Sequence, residues 1–144
     1  MTEKGFNHYE ISNFAKPGYE GKHNLKYWNC EEYLGIGPSA HSFIGGVRFC
    51  YPRDIKSFSI GEEPAADGTG GDEDEYIMLR LRLSEGLVFQ SYYERYHKKL
   101  PASVIEKAKS FEKRGLIKVT DTSIALTREG FLLSNTIISE LIYV

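Results

Sequence analysis

The sequence predicts an α+β fold in which short strands and loops precede a largely helical C-terminal unit. Residues 1–60 are rich in glycine, aromatic residues and asparagine, and their apolar side chains alternate only in short bursts, which is typical of short strands. Residues 73–144 instead place apolar side chains at helical spacing on both sides of a hairpin-like segment.

The composition is that of a globular chain without general affinity for polyanions. Of 144 residues, 41% are hydrophobic and 13% are aromatic, which supplies material for a core. The 18 basic and 20 acidic residues give a net charge of −2, so we expect no broad attraction to nucleic acid or anionic membranes. The sequence predicts no membrane segment and no signal peptide. We interpret Cys30 and Cys50 as free thiols of a cytoplasmic protein, with a disulfide as the alternative.

Turn signals divide residues 1–60 into short elements. Alternation predicts strands near residues 9–12 and 42–44, and residues 16–18 (Lys-Pro-Gly) read as a turn. The pair Gly45-Gly46 predicts a hairpin turn, and residues 54–58 predict one or two helical turns. Residues 61–72 are dominated by glycine, proline and acidic residues, so we expect a flexible linker there.

The C-terminal unit begins with three predicted helices. For residues 72–84 we prefer a helix to a strand, because Glu73 and Asp74 suit a helix N-terminus and residues 85–86 (Glu-Gly) suit its end. The second helix covers residues 89–97. The third runs from Pro101 to residue 114 and stops before a glycine.

A hairpin and a closing helix complete this unit. Residues 116–119 and 123–126 flank a Thr-Asp-Thr turn and predict the hairpin. Thr127 is expected to cap one helix that continues to about residue 142. Its predicted apolar set is Phe131, Leu132, Ile137, Ile138 and Leu141. Three helices, a hairpin and a helix in this order predict a winged-helix-like unit.

The first candidate site is the pair His23 and Tyr27. On a helix, residues four apart share a face, and both residue types serve as axial ligands of heme iron. Leu25, Trp28 and Tyr33 nearby could cover a porphyrin. The alternative, which the pattern alone favours, is a structural hydrogen-bonded pair.

The second candidate feature is the glycine-rich segment 35–41, Gly-Ile-Gly-Pro-Ser-Ala-His. Its glycines permit a close approach of the backbone to a ligand or to another part of the chain. It lacks the third glycine of a dinucleotide-binding fingerprint. On spacing alone, a constrained turn that closes a sheet is the favoured interpretation.

Several ordered blocks resemble one protein family over nearly the whole chain. The blocks are HYEISNFAKPG, HNLKYW and YLGIGPSAHSFIGG, followed by EYIMLRLRLSEGL, KRGLI, IALTREG and LLSN. Together they resemble the C-terminal part of the oxygen-independent coproporphyrinogen III oxidases, which are radical-SAM proteins of porphyrin metabolism. The His-Asn-x-x-Tyr form of residues 23–27 resembles the heme-chaperone branch of that family, in which this segment is tied to heme handling. This resemblance strengthens the heme interpretation of His23 and Tyr27.

The resemblance also implies an architecture and a second set of site residues. Residues 1–60 would be the last strands and loops of a partial (β/α) radical-SAM barrel, residues 61–72 a flexible linker, and residues 73–144 a winged-helix-like accessory domain. Ligands of such barrels bind at the C-terminal ends of the strands. The residues that would border the cavity for SAM and substrate are Leu25, Lys26, Ser39, Ala40 and His41.

Two cysteines cannot supply the three thiolates that hold a [4Fe–4S] cluster in radical-SAM enzymes. We therefore expect a fragment that is not catalytic alone, without resident cofactor apart from a heme or porphyrin partner. Its second expected partner is the missing N-terminal portion of the barrel. The alternative functions are a winged-helix module that binds protein or nucleic acid, and a structural remnant. Of these, we do not expect nucleic-acid binding, because acidic residues lie among the lysines of residues 98–114.

An exposed barrel edge favours association between copies of the chain, since unpaired strands and apolar surface seek partners. We therefore predict a homo-oligomer at high protein concentration. Light scattering should give a mass above that of one chain, and a monomeric mass would contradict the prediction.

Overall fold

The computed structural model describes residues 4–143 and shows a mixed α/β chain with small antiparallel sheets. Strands β1 (Asn7–His8) and β2 (Phe14–Ala15) pair with each other and precede helix α1 (Lys22–Trp28). The loop between β1 and β2 attaches to the C-terminal half of the chain, because the Ile11 N–H donates to the Arg82 carbonyl at 2.9 Å. Both halves of the sequence therefore contribute to one packed unit.

A hairpin supplies two of the three strands of the next sheet. Strands β3 (His41–Ile44) and β4 (Val47–Cys50) pair antiparallel. The turn between them uses Gly45 and Gly46, whose φ angles are 59° and 75°. Two successive positive φ angles match the right-handed twist of the strands, so the predicted hairpin turn is confirmed.

The segment after β4 is more regular than the sequence predicts. Helix α2 (Ile55–Ser59) is capped by Asp54, in agreement with the helical turns expected there. The expected weak order of residues 61–72 is wrong for strand β5 (Ala65–Thr69), which pairs antiparallel with β4. The order of this exposed strand comes from backbone pairing, which the local composition does not reveal. The domain boundary placed in this segment stays a prediction.

Eight elements follow β5. In chain order they are α3 (Glu73–Arg80), β6 (Leu87–Val88), α4 (Phe89–Tyr96), α5 (Ala102–Glu112), β7 (Ile117–Val119), β8 (Ser123–Leu126), α6 (Arg128–Leu132) and α7 (Ser134–Ile142). Strand β8 lies between β6 and β7 in an antiparallel sheet. The predicted hairpin is therefore confirmed, and α4 and α5 lie within the predicted helices.

Helix α3 is shorter than predicted. Asp72 caps its start, but the helix ends at Arg80 rather than near residue 84. The N–H groups of Arg82 and Leu83 bond to carbonyls only three residues earlier, which tightens the chain into a turn. The Arg82 carbonyl then accepts the hydrogen bond from Ile11, so a tertiary contact ends the helix.

The closing helix is divided in two. Thr127 caps α6 as predicted, and its hydroxyl oxygen accepts from the Gly130 N–H at 3.1 Å. The chain then breaks at Leu133 (φ −116°, ψ 17°), because α6 is fixed to the hairpin while α7 packs against α3 and α5. Leu132, which we predicted to face the core, is 84% exposed.

One apolar core joins the two halves of the chain. Cys30 and Phe43, from the N-terminal half, are buried in the same cluster as the side chains of α3, α4, α5 and α7. The members without exposed surface are Leu81, Leu87, Tyr92, Ala108, Ile124 and Leu141. None of the helices over residues 4–143 has the length and apolarity that crossing a bilayer requires.

Gly86 and Gly115 form a matched pair for measuring a steric constraint. Both have positive φ, 76° and 72°. A Cβ at Gly86 would lie 2.1 Å from the Ile124 carbonyl oxygen, whereas a Cβ at Gly115 would meet nothing within 4 Å. We expect Gly115→Ala to lower the free energy of unfolding by about 1 kcal/mol and Gly86→Ala by at least about 3 kcal/mol. Urea denaturation measures both, and equal losses would contradict the role of this contact.

Glu73 links α3 to α4 and to the chain that follows it. Its carboxylate accepts from Lys98 at 2.5 Å and from the Tyr92 hydroxyl. The bond from Lys98, followed by that from Tyr92, lowers the pKa of Glu73 below its ordinary value of 4.5. The stabilisation from the carboxylate is therefore complete above the unfolded-state pKa and disappears as the pH falls through the lower folded-state pKa.

We predict that at about pH 7 Glu73→Gln unfolds at a lower urea concentration than the parent chain. The urea midpoints of the variant and the parent should converge at about pH 3. Glu106→Gln, on the exposed side of α5, is the matched control and should follow the parent at both pH values. A difference between Glu73→Gln and the parent that persists in acid would show that packing, not charge, causes the loss.

Candidate functional site

Helix α1 brings His23 and Tyr27 together on one face, as their spacing predicts. The Tyr27 hydroxyl lies 3.0 Å from the His23 Nε2, a hydrogen-bond distance. The two rings meet edge to face with their centroids 4.9 Å apart. His23 is exposed and Tyr27 is half-buried, so the imidazole faces solvent while the phenol leans on the protein.

An aromatic run continues from this pair into the second sheet. The Tyr27 and Tyr33 rings lie edge to face at 4.5 Å, and the Tyr33 and Phe43 rings lie 6.5 Å apart. The backbones of Tyr33 and Phe43 exchange two hydrogen bonds of 2.9 Å. Tyr33, which the sequence associated with porphyrin contact, therefore supports Tyr27 and connects α1 to β3.

The C-terminal end of α1 is anchored by buried polar contacts. The Arg80 guanidinium, in a residue only 6% exposed, donates to the Asn29 side-chain oxygen and pairs with Glu85. Arg95 donates to the Cys30 carbonyl at 3.1 Å. Trp28, the single tryptophan of the chain, is half-buried with the Arg82 guanidinium 5.7 Å from its ring. These contacts hold α1 in one orientation on α3 and α4.

The buried position of Cys30 makes its thiol unreactive. Its side chain is buried, and that burial raises the pKa of the thiol, an effect that the nearby Arg95 charge only partly opposes. The thiolate, which is the form that binds metals, is therefore disfavoured. Cys30 and Cys50 are both free thiols, as expected.

A small cavity of about 160 Å³ lies behind Tyr27. Its walls include Tyr33, Phe43 and the ion pair between Arg48 and Glu75. Pockets that enclose small molecules usually measure roughly 300–1,000 Å³, so this cavity cannot enclose a porphyrin. A flat ligand at His23 would instead lie on the solvent-facing side of α1.

The glycine-rich segment forms a constrained turn that leads into β3. A Cβ at Gly35 would lie 2.3 Å from the His41 carbonyl oxygen, and the Gly35 N–H donates to the Ser42 hydroxyl at 3.0 Å. Ser39 has a φ of 62°, and its N–H donates to the Pro52 carbonyl at 3.1 Å. These close contacts within the chain agree with the interpretation that the spacing favours.

The remaining candidate residues occupy two separate elements. Leu25 is half-buried and Lys26 exposed on α1, whereas Ser39 and Ala40 lie in the turn before β3, next to the exposed His41. Within residues 4–143, no hydrogen bond or ion pair joins the first two to the other three. Their assignment to one cavity for SAM and substrate stays a prediction.

Sequence reasoning missed one cluster entirely. His41, Cys50 and Asp67 come from three neighbouring strands, and one donor atom of each lies within 4.8 Å of the others. The sequence predicts a flexible linker around Asp67, and Ala-Ala-Asp-Gly-Thr carries no β-branched alternation that predicts strand β5. Only the pairing register reveals this cluster.

Comparisons with known proteins assign the chain to a family. Residues 74–133 match the model of the HemN C-terminal domain. The heme chaperone HemW of Bacillus subtilis is 36% identical over 95% of this chain, and that of Escherichia coli is 39% identical over 59% of it. The matched regions cover 38% of the length of the Bacillus relative and 25% of that of the Escherichia relative, so the chain spans well under two thirds of either protein.

A solved structure agrees with this assignment at the level of fold. Coproporphyrinogen III oxidase (HemN) from Escherichia coli, described as a radical-SAM enzyme, matches 99% of this chain and 38% of its own chain. The TM-score is 0.64 and the sequence identity is 20%. The resemblance inferred from the sequence blocks is thereby confirmed. The chain belongs to the family of oxygen-independent coproporphyrinogen III oxidases and heme chaperones, and it corresponds to the C-terminal portion of its members.

Proposed function

We propose that this chain binds heme through the pair formed by His23 and Tyr27. The observation that carries the proposal is the exposed His23 imidazole, held 3.0 Å from the Tyr27 hydroxyl above an aromatic run. The relatives named heme chaperones support the choice of ligand. The contacts of Arg80 and Arg95 with the end of α1 give the pair a rigid base.

The pair offers two ways to hold the iron. In the first, the His23 imidazole would bind the iron, with the Tyr27 hydroxyl moved aside. In the second, the Tyr27 oxygen would bind the iron as a phenolate, and the His23 Nε2, at hydrogen-bond distance, would hold the proton that the phenol gives up. Both ways keep the porphyrin on the outer face of α1, because the cavity behind Tyr27 is too small for it.

The surrounding architecture is part of the proposal. Residues 1–60 form the last part of a partial (β/α) radical-SAM barrel, and residues 73–144 form a winged-helix-like accessory domain. When the rest of a barrel is present, the cavity for SAM and substrate is bordered by Leu25, Lys26, Ser39, Ala40 and His41. The chain's own role is the handling of heme or porphyrin rather than the radical chemistry.

A role in nucleic-acid binding is not favoured by the surface of the C-terminal unit. Two lysines of the basic segment are already paired: Lys98 with Glu73 at 2.5 Å and Lys107 with Glu140 at 2.8 Å. A surface that binds phosphates needs unpaired basic groups on one face. The pairing is consistent with a solvated helix surface.

The first measurement is a titration of the purified chain with hemin, followed through the Soret band. We expect saturable binding in the micromolar range, which corresponds to about −8 kcal/mol. His23→Ala should weaken binding at least about tenfold if the imidazole is the ligand. Tyr27→Phe should do so if the phenolate is the ligand, because it removes only the hydroxyl.

The matched control is His97→Asn. His97 is another exposed histidine, and its φ of 55° suits asparagine, so the variant removes an imidazole without adding backbone strain. Binding by this variant should equal that of the parent. A missing Soret shift, or a shift that neither His23→Ala nor Tyr27→Phe alters, would overturn the proposal.

A further inference from the structure

The second sheet presents three metal-binding side chains on one face. His41 on β3 lies directly opposite Cys50 on β4, and directly opposed residues point to the same side of a sheet. Cys50 in turn pairs with Ala65 on β5, and Asp67 follows two residues later with its carboxylate beside the His41 ring. An imidazole, a thiol and a carboxylate thus meet across three strands.

The spacing of their donor atoms suits a small ion. The His41 Nδ1 lies 3.2 Å from the Asp67 carboxylate oxygen, and one donor atom from each of the three residues lies within 4.8 Å of the others. With Zn–N and Zn–O distances of about 2.1 Å and Zn–S of about 2.3 Å, ligand atoms in a tetrahedral zinc site are separated by roughly 3.3–3.7 Å. The observed His41–Asp67 separation is already close to that range, and the 4.8 Å limit exceeds it by about 1 Å.

An irregularity in β5 adds to the argument. Val47 pairs with Thr69 and Phe49 pairs with Ala66, so β5 carries one extra residue at this point. The extra residue falls at Asp67 and Gly68, where Gly68 has a φ of 102°. Such bulges bend a strand and redirect its side chains, and they are frequent beside functional sites. The neighbours of Asp67 in β5 are alanine and glycine, which leave room for an ion.

The exposure of the three residues argues against a purely structural contact. The His41 and Asp67 side chains are 58% and 51% exposed, and a polar contact so open to solvent contributes little to stability. Cys50 is half-buried, and its sulfur lies beside the donor atoms of the two exposed residues. Cys30, by contrast, is buried, and among residues 4–143 it belongs to no such group of donor atoms.

We propose that His41, Cys50 and Asp67 bind a divalent cation of the zinc class. The imidazole, the thiolate and the carboxylate are three ligands, and water completes a tetrahedron at the exposed fourth position. On binding, the Cys50 thiol releases its proton to the solvent and the sulfur–metal bond forms. This site uses neither His23 nor Tyr27, and it shares only His41 with the residues proposed to border the cavity for SAM and substrate.

The test is a titration of the full chain with Co²⁺, a spectroscopic substitute for Zn²⁺. We expect one Co²⁺ per chain, with the thiolate-to-metal charge-transfer band and the visible bands of tetrahedral cobalt, both removed by adding Zn²⁺. Cys50→Ser should abolish the charge-transfer band. Asp67→Asn should weaken Co²⁺ binding at least about tenfold while leaving the fold intact, because Asp67 is exposed.

Two variants control for binding elsewhere. Cys30→Ala removes the other thiol and His23→Ala removes the exposed histidine of α1, and both should keep the full cobalt spectrum. Circular dichroism of each variant checks that it is folded. The proposal fails if the parent chain shows no thiolate band, if the band survives Cys50→Ser, or if Asp67→Asn binds Co²⁺ as tightly as the parent. Hemin binding does not enter this readout, so the two proposals fail independently.

Discussion

The placement of both candidate sites depends on the contacts that α3 makes with the N-terminal half of the chain. Glu75 pairs with Arg48 of β4 and accepts from the Gly71 N–H at 2.7 Å, while Arg80 holds Asn29 at the end of α1. Partly buried ion pairs are costly to leave without a partner, so these contacts favour one docking geometry over its alternatives. Cys30 and Phe43 then complete the core that α3 shares with the C-terminal helices.

These contacts explain why the N-terminal half is ordered although its elements bury few residues of their own. The described part of α1 contains no fully buried residue, and β5 is exposed throughout. Neither element has a core of its own. Their order comes from polar anchors and strand pairing that the C-terminal unit completes, with Tyr96 donating to the carbonyls of Gly71 and Asp72 at 2.9 and 2.8 Å. Burial raises the pKa of Tyr96 to about 12, so this donor keeps its proton at physiological pH.

Local signals in the sequence sufficed wherever the structure is decided locally. The spacing of His23 and Tyr27, the cap at Thr127 and the turn at Gly45-Gly46 each follow from interactions between near neighbours in the chain. The end of α3 and strand β5 could not be predicted in this way, because the deciding partners are Ile11 and the residues of β4. The cluster of His41, Cys50 and Asp67 depends on a strand register and a bulge, which single-sequence patterns do not encode.

The position of Trp28 gives this chain an optical reporter for one of its two candidate sites. As the single tryptophan, it lies on α1 directly after Tyr27 and within a helical turn or two of His23. A porphyrin resting on that helix absorbs where indole emits, so it would quench the fluorescence of Trp28 by energy transfer. A zinc ion at the sheet has no absorption in that range and would leave the emission intensity unchanged by this route. The fluorescence intensity of Trp28 therefore distinguishes a porphyrin bound at α1 from a metal ion bound at the sheet.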